Sequence, residues 1–410
     1  MILERLYLEE FRRYRREEIL LPAGGLALHG ENASGKSTIM EAIALLSTTR
    51  SPRTSTDREM IAWESGAEFG FPPYARIEGT VQRSTGEVDL EIGIAAEHAD
   101  SPNARKQLKL NGRSVRATTM VGQLRSVLFT PEDVALVTGP PSDRRRYLDL
   151  TLCQIDSGYM RSLSTYARVL TQRNSLLKRF QKDGVNARSA HVAQELRYWD
   201  DELVEHGSAI IAMRAQSVAQ LSIVSADEYG LLDGGVLALA YVPELGVDSI
   251  DPGTVAARDA AAFALREVLE HRRSDEVRRG VTLSGPHRDD LAIDIGGHSA
   301  ASFASRGQQR LAVLALKLGE ATLMADASGE SPLVLLDDIL SELDERHRGQ
   351  VLERASSLHA QMLITSTDRS LLEGPIVRDL ERRQVVDGSV RCDQDRESVE
   401  PESDEDFSDT

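Results

Sequence analysis

Leu26-Ala27-Leu28-His29-Gly30-Glu31-Asn32-Ala33-Ser34-Gly35-Lys36-Ser37-Thr38 is the stretch that decides how this chain folds. A short apolar run feeds a glycine-bounded loop, and beyond the loop Ile39, Ile43 and Leu46 recur on one helical face. Strand, loop and helix in that order open a mononucleotide-binding unit. Gly30 to Ser37 satisfies G-x-x-x-x-G-K-S/T at every fixed position. Glycines let backbone N–H groups turn inward around phosphate oxygens, and the following helix points its positive end at the same anions. The Lys36 ammonium is placed for the β- and γ-phosphates, and the Ser37 hydroxyl for Mg²⁺. ATP with Mg²⁺ is the expected ligand of Gly30, Glu31, Asn32, Ala33, Ser34, Gly35, Lys36, Ser37 and Thr38.

Such a loop needs acid nearby. Pro332-Leu333-Val334-Leu335-Leu336-Asp337-Asp338 is an apolar strand that stops in two carboxylates. In an α/β sheet it delivers them to the carboxyl edge, where phosphates bind. Asp337 is the expected Mg²⁺ partner, and Asp338 is placed to orient or deprotonate an attacking water. Ser341-Glu342-Leu343-Asp344 either continues the site or caps a helix. Ala304-Ser305-Arg306-Gly307-Gln308-Gln309-Arg310 precedes an amphipathic helix carrying Leu311, Leu314, Ala315 and Leu318. Two readings stay open for it: an N-capped surface helix, or a turn whose glycine admits a phosphate.

Working outward, residues 2–8 and 86–94 alternate as half-buried strands, and Asn111-Gly112 is a hairpin turn signal. From about 143 to 272 helical spacing takes over, and no heptad lasts long enough for a long coiled coil. Strand and helix alternate again after 280. The expected architecture is α/β: an ATPase head of the ABC/SMC type built from both chain ends, with an inserted α-helical domain. Its parts are 1–142 (P-loop and β-hairpins), 143–280 (helical insertion), 281–390 (second ATPase half) and 391–410 (an acidic disordered tail).

The net charge is −17, but Asp393 to Thr410 holds nine acids and one base, so −9 remains on the body. That opposes indiscriminate nucleic-acid binding and leaves room for a local basic face. Arg12, Arg13, Arg15 and Arg16 form one basic cluster, and Arg144, Arg145 and Arg146 another; each is a solvated face or a DNA-backbone contact. Cys153 and Cys392 are the only cysteines, which fits a reducing cytoplasm and no zinc site. No stretch reads as a membrane span or signal peptide. Trp63 and Trp199 are expected in the core. His287 and Arg288 hold a structural turn or couple to nucleotide state.

Taken together, P-loop, signature-like segment, acidic strand end and Ser341–Asp344 resemble the ABC ATPase class in type and order. The match narrows to the RecF family. Phe11-Arg12-Arg13-Tyr14 resembles its FRNY word, Arg50-Ser51-Pro52-Arg53-Thr54-Ser55 its RSHRTS, and Phe129-Thr130-Pro131-Glu132-Asp133 its FSPED. Arg145-Arg146-Tyr147-Leu148-Asp149, Gln172-Arg173-Asn174 and Gly285-Pro286-His287-Arg288-Asp289-Asp290-Leu291 follow in order, as does Leu335 to Asp344. The resemblance implies an ATP-dependent homodimer in which Ser305, Gly307 and Gln308 of one subunit complete the partner's nucleotide site. It further implies binding of double-stranded DNA at gaps and junctions in the DNA damage (SOS) response. RecR- and RecO-type mediator proteins would act with it to load recombinase, and slow hydrolysis would release the dimer. Ala33-Ser34 and Ser37 depart from the family's GENGQGKT, and the hydroxyl of Ser37 keeps the metal role. Thr367 stands where transporters carry a switch histidine, and the Phe129–Asp133 segment takes the place of a Q-loop glutamine.

An ABC-type subunit of another system is the alternative. The distance from Lys36 to Ser305 is longer than a compact transporter subunit uses, the absent heptads oppose a long-armed SMC protein, and no room remains for a fused nuclease.

Overall fold

The computed structural model describes residues 1–66, 70–98, 101–245 and 256–393. The chain opens with an antiparallel pair, β1 (Ile2–Phe11) and β2 (Tyr14–Leu20), then β3 (Gly25–His29) and the helix α1 (Lys36–Thr48). Strands β4 (Tyr74–Arg83), β5 (Gly86–Ala96), β6 (Ala104–Leu110) and β7 (Arg113–Ser114) lead through the short helix α2 (Ala117–Met120) to β8 (Ser126–Phe129). The short α3 (Ala135–Thr138) precedes three long helices, α4 (Pro141–Ile155), α5 (Ser157–Lys182) and α6 (Ala190–Asp233). There follow β9 (Leu237–Val242), α7 (Ala256–Arg279), β10 (Asp290–Ile295), β11 (His298–Ser299), α8 (Ala300–Phe303) and α9 (Arg306–Ser328). The chain closes with β12 (Leu333–Asp337), α10 (Glu345–Ser357), β13 (Met362–Ser366), β14 (Glu381–Val386) and β15 (Ser389–Cys392).

The central sheet runs β15-β14-β3-β13-β12-β8, parallel from β14 to β8. Strands from both halves of the chain therefore lie side by side. Both faces are covered, and that is why its strands read as unbroken apolar runs. Alternation divides them: Leu333, Leu335, Leu363, Leu26 and Leu28 join one core with α1 and the antiparallel strands around β1 and β4. Val334, Leu336, Met362, Ile364 and Ala27 join a second core with α9. Strands β1, β2 and β4 to β7 form a separate antiparallel sheet, β2-β1-β4-β5-β6-β7, packed over α1.

The middle of the chain departs from the sequence reading. It is not purely helical, because β9 pairs antiparallel with β10, and these two with β11 make a third sheet. Leu237, Leu239 and Leu291 from it join the α9 core. Helix α6 also corrects the expectation about membrane spans: an 18-residue window has a mean hydropathy of 1.3, enough by length and composition to cross one. Here it packs against α5, α7, α9 and β9 as a core helix.

Two internal arginines pin the helical arm made by α4 to α7. Arg214 of α6 donates to the Pro286 carbonyl at 2.7 Å, the Tyr159 hydroxyl at 3.0 Å and Asp149 at 2.7 Å. Arg173 of α5 reaches Asp200, Glu276 and Thr282. Buried cations of this kind need several such partners. His287 sits against the Tyr166 hydroxyl at 2.7 Å, and burial pushes its pKa down to about 4. The unusual words around Arg173 and His287 are thus buried joints of the arm.

Two further expectations fail. Trp63 is 99% exposed, while Trp199 packs in the arm as expected. The acidic tail does not begin as disorder at 391: Arg391 and Cys392 complete β15, and Asp393 lies 2.7 Å from His29 and 3.0 Å from Arg369. Residues 394–410 of that tail lie outside the described residues.

Candidate nucleotide site

Gly30 leaves β3 where no side chain fits: a Cβ there would stand 2.3 Å from the Val385 carbonyl oxygen. Gly35, at φ 122°, caps α1, and a Cβ would meet the Tyr14 hydroxyl at 2.7 Å. That hydroxyl donates to the Gly35 carbonyl, so the Phe11–Tyr14 word props the loop from below. Ala33 holds φ 63°, a left-handed conformation that disfavours a Cβ. Across the loop, the Gly388 N–H between β14 and β15 donates to the Ser34 carbonyl at 3.1 Å. Glu31, Asn32 and Ala33 are exposed, while Ser34, Gly35, Lys36 and Thr38 are buried.

The Lys36 ammonium folds back on its own loop, donating to the Gly30 carbonyl at 2.7 Å and the Glu31 carbonyl at 2.9 Å. Burial lowers its pKa, and Asp338 and Asp337 pull it back up. The Ser37 hydroxyl donates to Asp337 Oδ1 at 3.0 Å, and the Thr365 hydroxyl donates to the same oxygen at 2.7 Å. Burial raises the Asp337 pKa against those hydrogen bonds. Asp338 stands at φ 52°, and among the described residues its buried Oδ1 has no hydrogen-bond partner. The buried Ser34 Oγ lacks one among them too. Orphaned polar atoms inside a fold ask for a partner. Here a hydroxyl in the loop and a carboxylate facing it are what a triphosphate and its attacking water would satisfy. Mg²⁺ fits as well, because it takes one or two carboxylates and completes its shell with phosphates and water. Among the described residues no group of three or more His, Cys, Asp or Glu could hold a metal on its own.

Sequence reasoning missed Glu41. It is buried on α1, bonded to Arg12 at 2.8 Å and to the Ser51 hydroxyl at 2.6 Å, with Arg53 at 3.7 Å. The Phe11–Tyr14 and Arg50–Ser55 words thus converge on the loop's own helix. The Phe129–Asp133 word also gains a place: Asp133 closes a capping box on Thr130 and lies 3.6 Å from Lys317 of α9.

Ser305 is the N-cap of α9 in a capping box with Gln308. Ser305 and Gly307 are exposed, and the hydrogen bonds of Ser305 stay within its own turn, to Gln308 and Gln309. Asp344 accepts from the His347 N–H at 2.9 Å, so of the two readings for Ser341–Asp344 the helix cap is the one observed. Arg310 pairs with Glu342, tying that segment to the start of α9.

The basic clusters are largely spoken for. Arg12 serves Glu41, and Arg15 bridges Glu10 and Glu64. Arg144 holds Asp290, while Arg145 and Arg146 donate to the Asp289 and Ser51 carbonyls.

A P-loop and an acid-ended strand in one sheet, with a capped turn leading a helix beneath it, define an ATPase head of the ABC/SMC class. The RecF/RecN/SMC N terminal domain family model matches residues 2–379. The chain belongs to the RecF family: it is 42% identical over 398 residues to a DNA replication and repair protein RecF of Chloroflexus aggregans, covering 95% of this chain and 99% of that one. A RecF of Thermomicrobium roseum is 42% identical over 95% of this chain and 99% of its own. Among solved structures, the recombination mediator protein RecF-ATP of the RecFOR pathway superposes with a TM-score of 0.81 at 29% identity, over 95% of this chain and 96% of that chain. An SMC head bound to part of ScpA shares the fold alone, at a TM-score of 0.52 and 15% identity over 95% of this chain and 96% of that chain.

Proposed function

We propose that this chain is an ATP-operated DNA-binding clamp of DNA replication and recombinational repair, acting in the cytoplasm. The observation that carries the reading is a division of labour within one subunit. The loop, Ser37, Asp337 and Asp338 gather at one edge of the sheet, while Ser305 and Gly307 are exposed and, among the described residues, the bonds of Ser305 stay within its own turn. Two copies related by a twofold axis bring each exposed turn over the other's loop, a self-complementary interface of the closed type. Gly30 to Thr38 would wrap the phosphates, with Lys36 turned from its own carbonyls to the β- and γ-phosphates. Ser37 and Asp337 would hold Mg²⁺, which supplies charge neutralisation at the phosphates. Ser305, Gly307 and Gln308 of the partner would contact the γ-phosphate through N–H groups at the start of α9.

Asp338 would accept a proton from the attacking water as its oxygen bonds to the γ-phosphorus and ADP leaves. An aspartate has less reach than a glutamate, which favours slow turnover and a switch that releases the dimer. Duplex and gapped DNA, and mediators of the RecR and RecO type, are the partners this reading assigns. The deciding experiment is a gapped-duplex binding assay with and without ATP that reads oligomeric state in parallel. Dimers that form on DNA only with ATP support the clamp; ATP-independent binding by monomers overturns it.

A further inference from the structure

Between α4, α5 and the loop after α1 lies an open cavity of about 650 Å³, away from the nucleotide site. Arg50, Arg145 and Arg146 all line it. Among the described residues none of the three has a carboxylate partner; Arg145 and Arg146 are positioned by backbone carbonyls, and Arg50 and Arg146 are exposed. A fourth guanidinium at the cavity wall, Arg214, is already paired to Asp149. Burial and the neighbouring Arg214 lower the pKa of Arg145, while Asp290, Asp289 and Asp149 pull it back up. The lining also has apolar members, Val121, Leu163 and Leu170, and Tyr166, whose hydroxyl is bonded to His287.

A concave site lined by guanidiniums without carboxylate partners and by apolar side chains matches a particular ligand chemistry. Guanidinium forks bind phosphate bidentately, and apolar walls take up the face of a base. The volume falls within the range of small-molecule sites, roughly 300–1,000 Å³. We propose that this cavity is a second nucleotide site, selective for a terminal phosphate with its attached nucleoside, supplied either by a free nucleoside monophosphate or by the phosphorylated end of a DNA strand. An acidic peptide would satisfy the arginines but would leave the apolar side chains unused.

The test uses the full chain and four probes: dAMP, deoxyadenosine, and one recessed-end duplex carrying either a 5′-phosphate or a 5′-hydroxyl. Calorimetry reads the nucleosides and anisotropy the labelled duplexes. The phosphorylated member of at least one pair should bind roughly tenfold more tightly, with that advantage lost in Arg50→Gln. Among the described residues the Arg50 side chain makes no hydrogen bond or ion pair, so the variant should fold; an unchanged melting temperature and unchanged ATP binding confirm that. Preference for dAMP alone assigns the free nucleotide, and preference for the phosphorylated end alone assigns the strand terminus. Equal affinity for both members of each pair, or an advantage that survives Arg50→Gln, overturns the proposal. A synthetic peptide of residues 394–410 that competes at least tenfold better than dAMP also overturns it, in favour of an acidic occupant.

Discussion

The P-loop and the signature turn are built from similar materials, a glycine-containing turn leading into a helix, yet they end in opposite states. The first is held from several sides: Tyr14 beneath Gly35, Gly388 against Ser34, Asp337 on Ser37, and Lys36 on the loop's own carbonyls. The second is closed by its own capping box and faces solvent. The difference teaches that the loop side is set up within one chain, whereas the turn side offers groups that its own chain does not use.

Lys36→Ala tests the loop side most severely. Removing the ammonium should weaken ATP binding on the order of 100-fold or more, by analogy with other charge-assisted contacts, and dimers should vanish with it. Calorimetry and sizing with ATP check both, and a persistent ATP-linked dimer would break the comparison. Asp338→Asn should keep binding and slow hydrolysis by about 100-fold, the usual weight of a general base; wild-type turnover removes Asp338 from that role. Ser305→Arg should leave ATP binding by the monomer within about twofold while abolishing the dimer, since a bulky cation at a packed interface blocks association. If nucleotide binding is itself lost, the two regions are not separable.

A smaller effect concerns the arm. His287 is buried with its pKa lowered to about 4, so between pH 6.5 and 4 the unfolded chain binds a proton that the folded chain refuses. Its contribution is therefore present in full above pH 6.5 and is lost as pH falls toward 4. At pH 5 the loss relative to neutral pH should be about 2 kcal/mol, and His287→Gln should remove that share of the acid sensitivity in urea melts. Last, Ala33→Gly should relieve the left-handed strain and stabilise the fold by at most about 1 kcal/mol, the gain being trimmed by the entropy of the unfolded glycine. A denaturation curve shifted the other way would show that Ala33 is not strained.

Much of this was legible. The P-loop and the acidic strand end announce themselves because their chemistry allows few residue types. The apolar run Leu333–Leu336 reads as a buried strand, since both faces are covered. What escaped depends on distant partners. Strand β9 alternates Leu237, Leu239 and Tyr241, but its short run sits between two long helices and only pairing with β10 makes it a strand. The arginine clusters looked like surface charge because nothing local reveals that Arg12 will meet Glu41, or Arg144 meet Asp290. Trp63 was expected inside on composition alone, and the fold leaves it in solvent.

The short final hairpin has a practical meaning. β15 is the outermost strand of the central sheet, and it shields β14 from neighbouring molecules while Val390 holds Glu17 and Gly388 steadies the loop. A truncation at residue 388 would therefore do more than shorten the chain. It would bare an unpaired β-edge ready to zip onto other copies, and insolubility would follow from that exposed ladder.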